Sequence, residues 1–460
     1  MNEPLSNARA VPLLSVEIRA LARLSWPIAL SELAFMLMGL VDTAVLGRVS
    51  ATELAASALG RSVAFTAMMP AFGLTMGLEP LASQAVGAGQ TDRAWAAFMA
   101  ALKATAVAWV PLMLACLGAL LFLERIGIAH DVAVRARLFA LAQAPGFLFA
   151  LVFLAAKTFL QSHSTTRPML IAAAVANALN FVLCNVLARG DAALVAVGLP
   201  PLGLPATGVL GAGIAFSVSQ LVMAALVLKA AWAYRPVLRA ASVRAASVPA
   251  ATIVRLGRPV GLQMLAEAGV FCVATVLVGR FGADPESAHQ VALGLASFTF
   301  MGALGVSGAT AVRVGYAVGQ ERSPRRAGLV GIVVGGSYML LCGIVFAVGR
   351  HTLAGFFTAD PLVRDAAATL LVIAAVFQLF DGVQAVAAGA LRGAGDVRFP
   401  FFASVTAYWL VGLPLALLFG FVLHGGVRGI WWGLAAGLIC SATFLVARFI
   451  RITRGVIARV

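Results

Sequence analysis

Charge is scarce in this chain. Only 11% of its 460 residues are Asp, Glu, Lys or Arg, while 62% are hydrophobic and the mean hydropathy is +0.98. A water-facing surface cannot be covered from that composition, so the chain is read as an integral membrane protein. Strand-like alternation is missing as well, which leaves helices as the spanning element, since lipid offers no partner for free backbone polar groups. Cysteine is sparse: the five, Cys116, Cys184, Cys272, Cys342 and Cys440, lie singly in different apolar segments. That excludes a disulfide framework and a thiolate metal site. The five histidines are scattered near segment ends, and there is no HExxH or GxSxG, so intramembrane hydrolase chemistry has no residues to use. No glycine-rich phosphate loop ending in Lys-Ser or Lys-Thr is present, so ATP-driven chemistry is not expected. The first 23 residues carry Glu3, Arg9, Glu17 and Arg19 and run into a full-length span without a small-residue cleavage pattern. No cleaved signal peptide is expected.

What is present is a series of apolar segments of spanning length, a length that needs about 20 residues in helical form. Twelve are expected, at 24–46, 54–78, 95–123, 138–160, 168–188, 206–232, 253–280, 287–311, 327–349, 366–391, 399–421 and 429–450. The net charge of +15 is a topology signal here, because the basic residues gather in alternate loops. Of the 33 Lys and Arg, 22 fall on the side of the N-terminus and nine on the other, with Arg61 and Lys103 inside segments. The richer side is expected in the cytoplasm, which places both termini there, as an even helix count requires.

The chain also repeats itself. Arg255 to Arg280 aligns without a gap on Arg23 to Arg48 at an offset of 232, matching Arg23/Arg255, Leu24/Leu256, Pro27/Pro259, Ala34/Ala266, Gly47/Gly279 and Arg48/Arg280. The likeness resumes at Ala58-Leu59-Gly60 against Ala292-Leu293-Gly294 and at Gly89-Gln90 against Gly319-Gln320. The expected architecture is therefore an all-α integral membrane protein of twelve transmembrane helices, in two six-helix lobes related by an internal parallel repeat. The lobes are placed at 1–234 and 253–460, with a basic cytoplasmic linker at 235–252 that carries Arg235, Arg239 and Arg244 toward anionic lipid headgroups.

Against so apolar a background the acids stand out. Glu32 and Asp42 share the first span, and Asp42, in its outer third, reads either as a solvated helix-end residue or as a functional one. In the fifth span Asn177 and Asn180 face one side, where they serve as helix-to-helix glue or as partners for the Asp42 carboxylate. The Met-rich run of the second span (Phe65, Met68, Met69, Phe72, Met76) is core, lipid contact or an adaptable cavity lining. Glu267 and Asp381 lie near the middle of the seventh and tenth spans, with no basic residue at the same depth. A mid-helix acid costs about 2.5–3.5 kcal/mol on insertion scales, so these two are functional candidates on physical grounds alone. A carboxylate there can hold a proton, a Na⁺ or an organic cation, and two such ligands compete for it.

The stretches LSWPIALSELAFMLMGLVDTAVLGR, ALGRSVAFTAMMPAFGLTMGLEPLASQAVGAGQ, ESAHQVAL and FQLFDGVQAVAAGALRGAGDVRFP resemble the multidrug and toxic compound extrusion (MATE) family, and the last of them, together with Glu267, resembles its NorM-type branch. The resemblance covers nearly the whole chain. It implies a secondary active antiporter, not an enzyme, that exports cationic or amphipathic drugs and organic compounds in exchange for H⁺ or Na⁺. It further implies a multi-pass protein of the plasma or inner membrane that works as a monomer among lipids, with no nucleic-acid partner and no cofactor beyond the coupling ion. Carried over residue by residue, it implies cation or substrate binding at Asp42 and Asn180 in the N-terminal lobe and at Glu267, Gln290 and Asp381 in the C-terminal lobe, with Na⁺ as a possible ligand of Glu267 and Asp381. One departure bears on the ion: the branch can place a tyrosine four residues before the Asp, and here that residue is Phe377. A hydroxyl oxygen is lost and protons gain ground. The competing expectation is a flippase of related fold for a lipid or lipid-linked substrate. Such proteins usually need cationic grooves for phosphate, whereas the central charges here are acidic.

Overall fold

The structure is a computed structural model that describes residues 14–236 and 247–460; Arg239 and Arg244 of the expected linker lie outside them. All regular structure among the described residues is helical. The first lobe holds α1 (Leu14–Leu46), α2 (Ala51–Met76), α3 (Leu78–Gly87), α4 (Thr91–Leu121), α5 (His130–Ser162), α6 (Arg167–Arg189), α7 (Asp191–Val195) and α8 (Val209–Trp232). The second holds α9 (Ala250–Gly279), α10 (Ala283–Gly319), α11 (Arg325–Gly355), α12 (Pro361–Gly393), α13 (Arg398–Val422) and α14 (Gly426–Ile452). Eleven of these are long and apolar enough to cross a bilayer, and α2, 26 residues long but carrying Glu53 and Arg61, makes the twelfth.

Local sequence explains where several helices start and stop. Ser50 caps α2 by accepting the Glu53 amide at 3.1 Å, and Asp360 caps α12 by accepting the Leu362 amide at 2.8 Å, with Pro361 in the first turn. The break between α2 and α3 falls at Gly77. Pro80, three residues on, has no N–H and crowds the carbonyl of Met76, so the helix cannot run through in register. Helix α13 passes through two π-helical stretches, Thr406–Gly412 and Leu418–Val422. The first ends two residues before Pro414, which cannot donate to Leu410, and the ladder shifts to the wider register. The long connection after α6 holds a short helix, α7, that sequence patterning does not show. Its Asp191 carboxylate accepts the backbone amides of Leu202, Gly203 and Leu204 at 2.9–3.0 Å, folding the loop back on itself.

The repeat decides how the lobes meet. Helix α1 corresponds to α9 and α2 to α10, and the lobes pack through α1 on α10 and α2 on α9, the crossed pairing that a two-fold relation demands. Approach is close. A Cβ on Gly257 would stand 2.5 Å from the Leu74 Cα, and one on Gly77 would stand 2.7 Å from the Gly257 nitrogen, so only glycine lets these two backbones touch. Both ion pairs that join the lobes among the described residues lie toward the face bearing Leu14 and Val460. Arg313 of α10 grips Glu17 of α1 through Nε at 2.9 Å and Nη2 at 2.5 Å, and Arg392 of α12 meets Glu79 of α3. Glu17, expected ahead of the first span, is thus buried on α1, which begins ten residues earlier than its apolar stretch.

Candidate functional site

In the second lobe, Glu267 sits on α9 with Gln263 one turn before it on the same face. One oxygen of the carboxylate, Oε1, accepts three hydrogen bonds: from Gln263 Nε2 at 3.0 Å, from Gln384 Nε2 of α12 at 2.9 Å, and from Ser404 Oγ of α13 at 2.8 Å. Three donors on one oxygen suit an acceptor that is negatively charged, and they leave Oε2 for another ligand. Asp381 lies three residues before Gln384 on α12, so it shares the helix face from which Gln384 reaches Glu267. Among the described residues neither acid has a basic side chain bonded to it. Arg392, on α12 with Asp381, is committed to Glu79 and Ser307.

Aromatic rings wall this pair of acids. Phe377, 2% exposed, packs at 6.0 Å from Phe271 and 5.8 Å from Trp431, so the position where a tyrosine hydroxyl would help hold a metal cation is filled by an apolar ring. A phenol enters from elsewhere. Tyr408, carried on the first π-helical stretch of α13 and beside Ser441, is buried against Phe271 in range of both acids. His289 is also buried in this lobe. Its Nδ1 accepts from Trp431 Nε1 at 3.1 Å, which leaves Nε2–H to donate to Thr275 Oγ1 at 3.0 Å, so the ring is fully satisfied as a neutral packing element.

The first lobe holds a second acid site. Asp42 of α1 and Asn180 of α6 are both 0% exposed and stand together, with Cys184 one turn along α6. Asn177 does not join them: its Nδ2 donates to the Ala173 carbonyl of its own helix at 2.9 Å. Arg61 of α2 does join them, with Nη2 3.6 Å from Asp42 Oδ2. Gln290 is exposed near the start of α10, and its side chain makes no hydrogen bond among the described residues. Among those residues no group of three His, Cys, Asp or Glu side chains is arranged to hold a metal ion. Two surface grooves, of about 700 Å³ around Arg428 and Trp432 and about 660 Å³ around Arg255 and Phe401, include neither acid site.

The structure therefore brings together Glu267 with Asp381, and Asp42 with Asn180. Sequence reasoning missed Gln263, Gln384, Ser404, Tyr408 and Arg61. Gln263 carried a usable signal, an amide four residues before an intramembrane acid. Ser404 and Tyr408 carried none, since 137 residues separate Ser404 from the acid it touches.

The MatE family pattern matches the chain twice, at residues 27–186 and 259–418, and the two matches are offset by the same 232 residues as the internal repeat. A protein of Deinococcus radiodurans described as a probable multidrug resistance protein NorM is 35% identical over 453 residues, covering 96% of each chain. One of Pseudomonas putida with the same description is 34% identical over 455 residues, covering 95% of this chain and 94% of its own. Among solved structures, the eukaryotic MATE transporter AtDTX14 superposes with a TM-score of 0.81 at 21% identity, covering 96% of this chain and 99% of that one.

Proposed function

We propose, from the premise that this chain belongs to the MatE family, that it is a secondary active antiporter exporting cationic or amphipathic organic compounds in exchange for protons. It is a membrane transporter and not an enzyme, and the naming of its relatives as multidrug resistance proteins supports drug efflux. One observation carries the finer reading. Two carboxylates, Glu267 and Asp381, share the face where α12 meets α9 through Gln384, in an apolar wall, and among the described residues no basic side chain is bonded to either. Buried acids without counter-charges are costly, and the cost is relieved by whichever positive ligand arrives: a proton or an organic cation. Mutual exclusion at one anionic site is sufficient for exchange.

Protons are favoured over Na⁺ by the donor set. Sodium needs several oxygens at short range, whereas three of the polar groups around Glu267 are turned to it as donors and Phe377 offers no oxygen. The second acid, Asp42 with Asn180, offers the substrate a polar station in the other lobe, and the exposed Gln290 amide offers it a further polar contact. The face with Leu14 and Val460 is read as cytoplasmic from the basic residues it carries, in the plasma membrane and in a monomer. One proton entering down the potential adds about 2.3 kcal/mol per 100 mV to export of a compound without net charge, whereas a monovalent cation leaving in exchange cancels that gain and leaves the pH gradient as the drive.

The test is dye efflux from proteoliposomes with an imposed pH gradient and no Na⁺. Export of a cationic dye under that gradient is expected. Silence under the pH gradient with full export on adding a Na⁺ gradient would assign the coupling to sodium, and silence under both would favour a flippase.

A further inference from the structure

The carboxylates of the two lobes do not have the same company. Among the described residues Glu267 and Asp381 lack a bonded base, while Asp42 has Arg61 at 3.6 Å. The guanidinium is seated: its Nη1 donates to the Gly39 carbonyl, three residues before Asp42 on α1. Gly39 makes the seat, because a Cβ there would stand 2.6 Å from Nη1. The arrangement is also unfinished. Arg61 Nε and Nη2, both Asp42 oxygens and both polar atoms of the Asn180 amide are buried without a hydrogen-bond partner among the described residues.

The repeat supplies an independent argument. In register with Asp42 and Arg61, at the offsets of 232 and 234 that align these two helices with their counterparts, stand Ala274 and Leu295. Both charges are present in one lobe and both are absent from the other, as expected of residues that work as a pair. A cation arriving beside Asp42 meets the guanidinium at nearly the same distance, so attraction and repulsion largely cancel.

We propose that Arg61 is the resident counter-cation of the N-terminal lobe: tethered beside Asp42, it takes the place an exchanging cation would need and confines exchange of the coupling ion to Glu267 and Asp381. This rests on the reading of the C-terminal acids as the coupling site. A substrate that engages Asp42 must then bring a hydrogen-bond acceptor for Arg61 as well as a donor for the carboxylate.

A double-mutant cycle in dye efflux tests it. Asp42→Asn alone leaves a buried guanidinium without its counter-charge and should lower export by about tenfold or more. Adding Arg61→Gln should recover export at least about fivefold above that single variant, with the same ion dependence as the parent protein. A double variant as inactive as Asp42→Asn, while still extracted as a monodisperse species, would show that Asp42 itself exchanges the ion and would overturn the assignment. If the double variant does not fold, equilibrium binding of tetraphenylphosphonium to purified Glu267→Gln protein replaces it. There Arg61→Gln should tighten binding about tenfold by freeing Asp42, Arg61→Lys should not, and no tightening overturns the proposal. Failure of the C-terminal reading shows separately, as normal dye export by Glu267→Gln alone.

Discussion

Arg392 of α12 reaches across the lobe boundary to Glu79 of α3, with Nε 3.0 Å from Oε2 and both side chains almost wholly buried. Its Nη2 also lies 3.3 Å from Ser307 Oγ of α10. Three helices from two lobes are thereby joined at one guanidinium, in the half of the molecule where the lobes touch. The pair belongs to the contact surface and not to the acid sites.

Breaking that pair on one side is costly. Glu79→Gln leaves a buried arginine without its counter-charge, a loss of about 3–5 kcal/mol, whereas Glu79→Gln with Arg392→Met removes both charges and costs far less. Thermal unfolding of detergent-solubilised protein should show the single variant well below the double one. Equal losses would mean that the ion pair is not what holds this junction.

The midplane acids give the sharpest functional expectation. Glu267→Gln and Asp381→Asn should each reduce export of a cationic dye to background while the protein remains membrane-inserted and monodisperse. Wild-type export by both variants in cells would remove the C-terminal site from the mechanism.

Ser404 tests the cage around Glu267. It supplies one of three donors to Oε1, so Ser404→Ala removes a hydrogen bond to a charged group worth about 1.5–3 kcal/mol but leaves Gln263 and Gln384 in place. A partial loss of export, about tenfold, is expected, smaller than that of Glu267→Gln. A loss as complete as that of Glu267→Gln would make Ser404 a ligand in its own right.

Phe377→Tyr addresses the ion. A hydroxyl one helical turn before Asp381 restores an oxygen to the acid pair, so dye efflux in proteoliposomes should gain a dependence on external Na⁺ that the parent protein lacks. No gain, with folding intact, would show that the oxygen at this position does not choose the ion.

The sequence alone determined the class, the repeat and the acids. Composition compels membrane helices, because 62% hydrophobic residues can be buried only in lipid or against one another. The 232-residue offset announces two lobes, and the family match divides the chain at the same interval. Glu267, Asp381 and Asp42 were legible because an acid in an apolar helix is expensive wherever the helix packs. Periodicity along one helix does not say which other helix faces it, and that is what the tertiary structure decided. It placed Ser404 and Gln384 on Glu267 and brought Tyr408 in on a π-helical turn. It also turned Arg61, in sequence a stray charge inside a span, into the partner of Asp42. Charges in lipid are settled by contact, and contacts between residues far apart in the chain exist only once the helices have packed.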